Sequence, residues 1–406
     1  MFDPRVLFLV IWSTQLIGFS MAGRDFFPIA IETWLAYFLG IGGFYSGAFL
    51  ALRKNSAHRS PRIGFSADKT VIRRFFRLAM CLYFVACAMA AWQITNILGA
   101  DVLLAGDFPM IRQAVIVDFL GDRELFTSIR VFYFGVGLCV FLLSYGIFLT
   151  RFQRSVLFGV GLLSAAATTG RLYLLLYIIA SSYLLYRQKL VSKKFVAMSF
   201  LGFISIFFLV ALIFDKGGDE SGSVEDQLIW NVQVYFMSSL ACFNNYVVSG
   251  AQETYGGILI PNVLRPAIEL LGISMAEKPN LLPFAMVPMQ CNTYTALFPL
   301  FHDLGYIGLF FGFVAIGFAH SFLWIKQQRS SAPIILFAYA LSLYPLAMSM
   351  FEDAYFSSPG FWLMLWIPPL ALYLYRLALT KPSPRRSRAV NGPPPSALRS
   401  TSLEQK

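Results

Sequence analysis

Ten apolar stretches recur along the chain, and they constrain its fold more than any other feature of the sequence. They cover residues 5–23, 30–51, 75–97, 129–150, 155–169, 172–186, 195–214, 304–325, 333–350 and 360–379. A helix needs ~20 apolar residues to cross the hydrocarbon core of a bilayer. Of the 406 residues, 57% are hydrophobic and 13% are charged, whereas soluble domains carry about 25% charged residues. The sequence therefore predicts an all-α polytopic membrane protein and excludes a soluble enzyme, a disordered chain and a disulfide scaffold.

The charges of the connecting segments alternate along the chain. Segments 52–74, 151–154, 187–194, 326–329 and 376–406 contain 22 Lys and Arg residues and two acids. Segments 98–128, 215–299 and 352–359 contain five Lys and Arg residues and 15 acids. By the positive-inside rule, both termini are cytoplasmic and the acidic segments face outward. The net charge of +11 is therefore a topology signal, and we predict no nucleic-acid partner.

The sequence divides into a transmembrane catalytic domain, 1–379, and a proline-rich basic tail, 380–406, for which we predict disorder in the cytoplasm. Within the domain, 215–303 forms one large outward loop, and a loop of this length is usually functional. Its apolar segment Val224–Val248 predicts a helix lying on or dipping into the outer leaflet. We expect the loop to fold back on the membrane and to form a cavity with the span ends.

Buried charge and cysteines add little to this picture. Glu32 and His320 are the main ionisable residues within the apolar stretches, and we place both near helix ends. Cys242 and Cys291 share the outward loop, where an oxidising compartment would allow a disulfide between them.

The outward arginines are the strongest candidates for binding an anion. Arg171 follows Thr169 and Gly170 between two short apolar runs. The 37 residues from Arg151 to Arg187 make about 55 Å of helix, which barely holds two crossings of ~30 Å and a turn. We therefore expect Arg171 at or below headgroup depth. A bound phosphate would offset the cost of its charge there, because a guanidinium binds phosphate oxygens bidentately.

Two further arginines, Arg265 and Arg112, are candidates for the same role. The alternatives for Arg171 are contact with lipid headgroups or an ion pair with a distant acid such as Asp118 or Glu269.

A polar motif precedes the eighth apolar stretch. It ends in His302 and Asp303, which with Arg171 are the predicted catalytic residues, because histidine is a side chain that commonly serves as a general base near neutral pH. The alternatives are an interfacial imidazole for His302 and a helix N-cap for Asp303. Aromatic and polar side chains that could contact sugar rings, or anchor the chain at the interface, are Asn292, Tyr294, Thr295 and Tyr255.

Several of these pieces occur in an order that resembles a known family. They are Thr169-Gly170-Arg171, Tyr255-Gly256-Gly257 followed by Pro261, Lys278-Pro279, Asn292-x-Tyr294-Thr295, and Asp303-Leu304-Gly305-x-x-Gly308. With the topology and the large loop, this set is similar to the Wzy-type O-antigen polymerases, the oligosaccharide repeat unit polymerases. The specific residues lie between about 165 and 325.

The resemblance implies an inverting glycosyltransferase of the GT-C class, located in a bacterial inner membrane and active on its periplasmic side. The growing glycan on undecaprenyl pyrophosphate is the donor, and a sugar hydroxyl of a new lipid-linked repeat is the acceptor. We expect no cofactor and no metal, because arginines can neutralise the pyrophosphate. A chain-length regulator is an implied partner. The rival functions are an O-antigen ligase, which transfers glycan to lipid A–core, and a lipid-linked oligosaccharide flippase or other transporter.

Overall fold

The computed structural model describes residues 2–22, 28–56, 68–105, 108–120, 124–168, 170–213, 224–249, 258–260, 264–272, 282, 284–287, 290–356 and 359–379. The tail 380–406 and Tyr255 lie outside the described residues. The side chain of Arg171 also lies outside them, although its backbone is included.

The described chain is mostly helical, as the apolar stretches predict. Helices occupy all ten predicted positions: α1 (Pro4–Ala22), α2 (Ile31–Ser56), α3 (Lys69–Leu98), α6 (Glu124–Ser144), α7 (Arg151–Ala167), α8 (Arg171–Arg187), α9 (Lys193–Ile213), α12 (Leu297–Arg329), α13 (Pro333–Met348) and α14 (Pro359–Leu379). Of these, α2, α3, α6, α12 and α14 are long and apolar enough to cross a membrane, and α1, α8 and α13 are shorter apolar helices.

The remaining elements lie in the segments predicted to face outward. They are α4 (Ala100–Ala105), α5 (Phe108–Leu120), α10 (Val224–Ser249), α11 (Arg265–Glu269) and a two-residue antiparallel pair, β1 (Ala285–Met286) with β2 (Gln290–Cys291). The helix predicted at Val224–Val248 is confirmed. It packs against α1 and α2, with Met237 and Phe243 buried.

Two apolar clusters organise the bundle. The first is built from α3, α6, α7, α8, α13 and α14, with Tyr177 and Phe141 fully buried. The second is built from α1, α2, α10, the β pair and α12, with Trp12 and Phe313 fully buried. The helix α13 packs against α8 in the first group and against α1 and α12 in the second, so it forms the seam between them.

Within the second cluster, α2 and α12 approach until their backbones touch. A Cβ atom added at Gly47 would collide with the Val314 carbonyl oxygen, and one added at Gly317 would collide with the Phe44 carbonyl oxygen. Small residues permit such close packing between helices in a membrane. The Gly43-x-x-x-Gly47 spacing on α2 is the sequence feature that places two glycines on one face of that helix.

The chain reverses direction inside α12, which the sequence does not predict. Gly305 has φ of 63° and ψ of −162°, a conformation that favours glycine. On either side of it, Leu300 lies against Gly312, and Leu297 lies beside Gly40 together with Phe313. In a straight helix, residues 300 and 312 would stand about 18 Å apart.

Residues 297–304 therefore fold back along the segment that follows Gly305, and we call this pair of segments the α12 hairpin. The predicted span 304–325 begins at the hairpin tip, whereas the helix itself begins at Leu297. The predicted span 129–150 also differs, because α6 ends at Ser144 and a 3₁₀ turn, Gly146–Phe148, follows.

The two ends of the bundle differ in their polar groups. At one end Arg73 donates to the Phe148 carbonyl, Arg154 to the Gly146 and Leu149 carbonyls, and Arg187 to Gln327. At the other end lie the start of α8, the start of α14 and the tip of the α12 hairpin. The separation fits the charge pattern of the sequence, since the arginines of 151–154 and 187–194 lie together.

Candidate functional site

His302 and Asp303 form a hydrogen-bonded pair at the tip of the α12 hairpin. The imidazole Nδ1 lies 2.7 Å from Asp303 Oδ1, and the two side chains are only 7% and 8% exposed. The Asp303 carboxylate also accepts the backbone N–H groups of Ile258 at 2.9 Å and Leu259 at 2.8 Å. Asp303 therefore holds the turn at 258–260 onto the hairpin.

The N-cap alternative for Asp303 is wrong in this structure, because the groups that its carboxylate binds belong to a distant segment. The His302 ring lies between two aromatic rings, with centroids 5.8 Å from Tyr246 on α10 and 5.6 Å from Phe298. His302 thus belongs to the second cluster.

The residues before the hairpin are mostly packed inside the protein. Tyr294 is 3% exposed and its ring stacks on Phe298 with centroids 4.2 Å apart, while Thr295 is 0% exposed and accepts the Leu297 N–H at 3.4 Å. Both side chains are therefore packed inside the protein, and their contact with glycan stays a prediction. Asn292 is half-buried and stays a candidate.

The three outward arginines lie in different parts of the fold. Arg265 begins α11 and is 7% exposed, an unusual degree of burial for a guanidinium. Arg112 is half-buried on α5, which packs against α6. Arg171 is the first residue of α8. The three residues thus lie on three different helices, α11, α5 and α8.

Cys242 and Cys291 are neighbours but both are free thiols, so the structure contains no disulfide between them. The Cys242 thiol donates to the Cys291 carbonyl oxygen at 3.4 Å. Hydrogen bonding from the Cys242 thiol, helped by Thr293, lowers the pKa of Cys291 to about 6 against the opposing effect of burial. The pair fastens α10 to β2.

The connection between α13 and α14 joins the two clusters at this end of the bundle. On one side, the Ser349 carbonyl accepts the Ala296 N–H at 2.8 Å, directly before the α12 hairpin. On the other side, the Tyr344 hydroxyl donates to Glu352 Oε1 at 3.2 Å, and the Tyr173 hydroxyl lies within electrostatic range of that carboxylate. The connection thus spans from the hairpin to the first turn of α8.

Glu352 and Asp353 are adjacent acids in the sequence, and the structure gives them different surroundings. Asp353 caps a turn, since it accepts the Tyr355 and Phe356 N–H groups at 2.9 and 3.1 Å. Glu352 instead points among aromatic residues, and burial, with a smaller contribution from Asp353, raises its pKa to about 7 despite the Tyr344 hydrogen bond. No signal in the local sequence distinguishes the two acids.

A cavity of about 600 Å³ opens beside this connection, between α12, α13 and α14. Its walls are mainly apolar and include Trp362, Trp366 and Phe356. His320 also lines it, is 3% exposed, and has Nε2 3.0 Å from the Tyr355 hydroxyl. This residue lies inside α12, which corrects its predicted place near a helix end; Glu32, in the first turn of α2, is near a helix end as predicted.

Comparisons with protein-family models, with curated proteins and with solved structures found no match. The resemblance to the polymerases therefore depends on the motifs of this chain alone.

Proposed function

We propose that the protein is a membrane glycosyltransferase that polymerises oligosaccharide repeat units carried on undecaprenyl pyrophosphate. In this proposal the chain crosses a bacterial inner membrane ten times, with a GT-C-like fold, both termini in the cytoplasm and the active site in the periplasm. The growing glycan passes to a hydroxyl of a new lipid-linked repeat, and undecaprenyl pyrophosphate leaves. A chain-length regulator is the expected protein partner.

The observation that carries the proposal is the gathering of ionisable groups at the end of the bundle opposite to Arg154 and Arg187. That end contains the start of α8 at Arg171, the His302–Asp303 pair and the half-buried Glu352. As the glycosidic bond breaks, negative charge develops on the pyrophosphate, and a fixed guanidinium in a site of low polarity stabilises that charge strongly. The neighbouring apolar cavity fits a substrate that has a hydrocarbon chain.

Reconstitution tests the proposal directly. The full-length protein is placed in liposomes with a purified undecaprenyl-pyrophosphate-linked repeat unit, and products are separated as a ladder on a gel, with and without chelator. We expect extension by the wild type and a loss of about 10²–10³-fold in rate for Arg171→Ala. Arg151→Ala, at the other end of the bundle, is the matched control and retains the wild-type rate.

The same assay separates the rival functions. Addition of lipid A–core as a second acceptor produces capped core with a ligase, whereas a polymerase extends the lipid-linked glycan. A flippase moves the labelled repeat unit across the bilayer without forming any longer product. Absence of a ladder from a correctly folded wild-type protein contradicts the proposal.

A further inference from the structure

Glu352 is an unusual carboxylate for its position. It lies in the short connection after α13, half-buried, and no described side chain forms a salt bridge with it. Burying a carboxylate without a cation costs free energy, and the adjacent Asp353 already supplies the cap that the turn requires. The turn therefore gives no structural reason for a second acid at residue 352.

The surroundings of Glu352 come from four elements. Tyr344 on α13 donates to it, and Tyr173 on α8 is close enough for the carboxylate to act on it electrostatically. Tyr133 on α6 lies next to Tyr173, with ring centroids 4.5 Å apart. Phe361 on α14 closes the group, with its ring 4.9 Å from that of Tyr173. Among the described side chains, the charged groups that act on this cluster electrostatically are Asp353, in the same connection, and Arg130 on α6, which acts on Tyr133. Hydroxyl donors and aromatic faces around one carboxylate are the groups that commonly contact a sugar.

The position of Glu352 relative to α8 favours it over His302 as a base. The base and the cation that stabilises the leaving group must both reach the same sugar, since one takes the acceptor proton while the other meets the departing phosphate. Glu352 accepts from Tyr344 on α13, the helix that packs against α8, and it acts electrostatically on Tyr173, which follows Arg171 by two residues. His302 packs instead against Tyr246 and Phe298 in the second cluster, and its partner Asp303 holds the turn at 258–260.

We propose that Glu352 is the general base of the glycosyl transfer, and that the His302–Asp303 pair is a positioning device for the outward loop. This inference rests on the proposed function. The Glu352 carboxylate takes the proton of the acceptor hydroxyl as that oxygen forms a bond to the anomeric carbon. The bond from the anomeric carbon to the phosphate oxygen breaks, and the lipid pyrophosphate leaves with the electron pair. The proton is then released from Glu352 to water.

The test compares four variants in the liposome assay, with initial rates measured from pH 5.5 to 8.5. We expect Glu352→Gln to lose about 10²–10⁴-fold in kcat, with KM for the lipid-linked repeat unchanged. Glu352→Asp retains part of the rate with a shifted pH profile, and this variant decides the question if Glu352→Gln does not fold. Glu32→Gln, which removes an exposed carboxyl at the same end of the bundle, behaves as the wild type.

His302→Gln separates the two candidate bases. The wild-type rate rises with pH around pH 7, because the base must be ionised. We expect His302→Gln to lower the rate but to keep its increase with pH. We expect the residual rate of Glu352→Gln to show no increase with pH. The temperature dependence of the titration is a second readout, since an imidazole ionises with a much larger enthalpy than a carboxyl group.

Each outcome has one interpretation. A wild-type rate and pH profile in Glu352→Gln, with a wild-type ladder, overturns the role of Glu352 and leaves the proposed function intact. If His302→Gln loses the pH-dependent rise and Glu352→Gln keeps it, the role of Glu352 is overturned and His302 is the base. A wild-type protein that forms no ladder overturns both proposals.

Discussion

Replacement of Asp303 by alanine should release the turn at 258–260 from the α12 hairpin. The change leaves the backbone N–H groups of Ile258 and Leu259 without their acceptor and removes the partner of His302 Nδ1. A hydrogen bond to a charged group contributes ~1.5–3 kcal/mol when buried. We take ~1 kcal/mol for each N–H, since water can reach a turn at the tip of the hairpin.

The expected loss of about 2 kcal/mol corresponds to a roughly 30-fold increase in the open population of the turn. Hydrogen exchange, measured by mass spectrometry on a peptide that contains residues 258–260, reports that population directly. The exchange of these amides should accelerate by the same factor in Asp303→Ala. Asp68→Asn is the control, because Asp68 caps α3 at Thr70 and should leave the peptide unaffected.

Unchanged exchange at 258–260 in Asp303→Ala would refute the reasoning, since the two N–H groups would then have to be held by something other than this carboxylate. Accelerated exchange across the whole protein would also contradict it, because within the described residues the hydrogen bonds of the Asp303 carboxylate go to the hairpin tip and to this turn.

Three further predictions follow from other parts of the bundle. Gly47→Ala should lower stability by about 1–3 kcal/mol, because its Cβ meets the α12 backbone, whereas Gly42→Ala, which faces open space, should leave the melting temperature in detergent unchanged. Mild oxidation should join Cys242 and Cys291, a bond that peptide mass spectrometry detects and that Cys242→Ser abolishes. Glu352→Gln should stabilise the protein above pH 7 by at most about 3 kcal/mol. The raised pKa of Glu352, about 7, means that the folded state binds the proton more tightly than the unfolded state, so the wild type loses stability as pH rises from about 4.5 to 7. Equal melting temperatures of the variant and the wild type at pH 8 would contradict this.

The sequence predicts helices well because apolar length decides them. A stretch such as 333–350 has one stable conformation in a bilayer, in which its backbone groups bond within the segment, and the structure places α13 there. Hydropathy does not indicate where the chain reverses its direction, so it does not predict the reversal at Gly305. The contact of Leu300 with Gly312 reveals that residues 297–304 fold back along the span that follows.

The sequence likewise predicts some features of the candidate site and leaves others undetermined. The sequence places His302 beside Asp303, and the structure joins them as a pair. It also presents Glu352 and Asp353 as two equivalent acids, because burial depends on α8 and α13 and is absent from the local pattern. Tyr294 and Thr295 show the same limit, because nothing in the local sequence indicates that both side chains are buried.

The direct backbone contact between α2 and α12 restricts how that half of the bundle can move. Two helices that meet without intervening side chains interlock, and neither can slide or tilt against the other without steric collision. That half of the protein therefore acts as a stationary wall. Under the proposed function, we expect the opening that admits a sugar chain along α13, because Pro345 leaves one carbonyl of the preceding turn without its helical partner and makes this helix easier to bend.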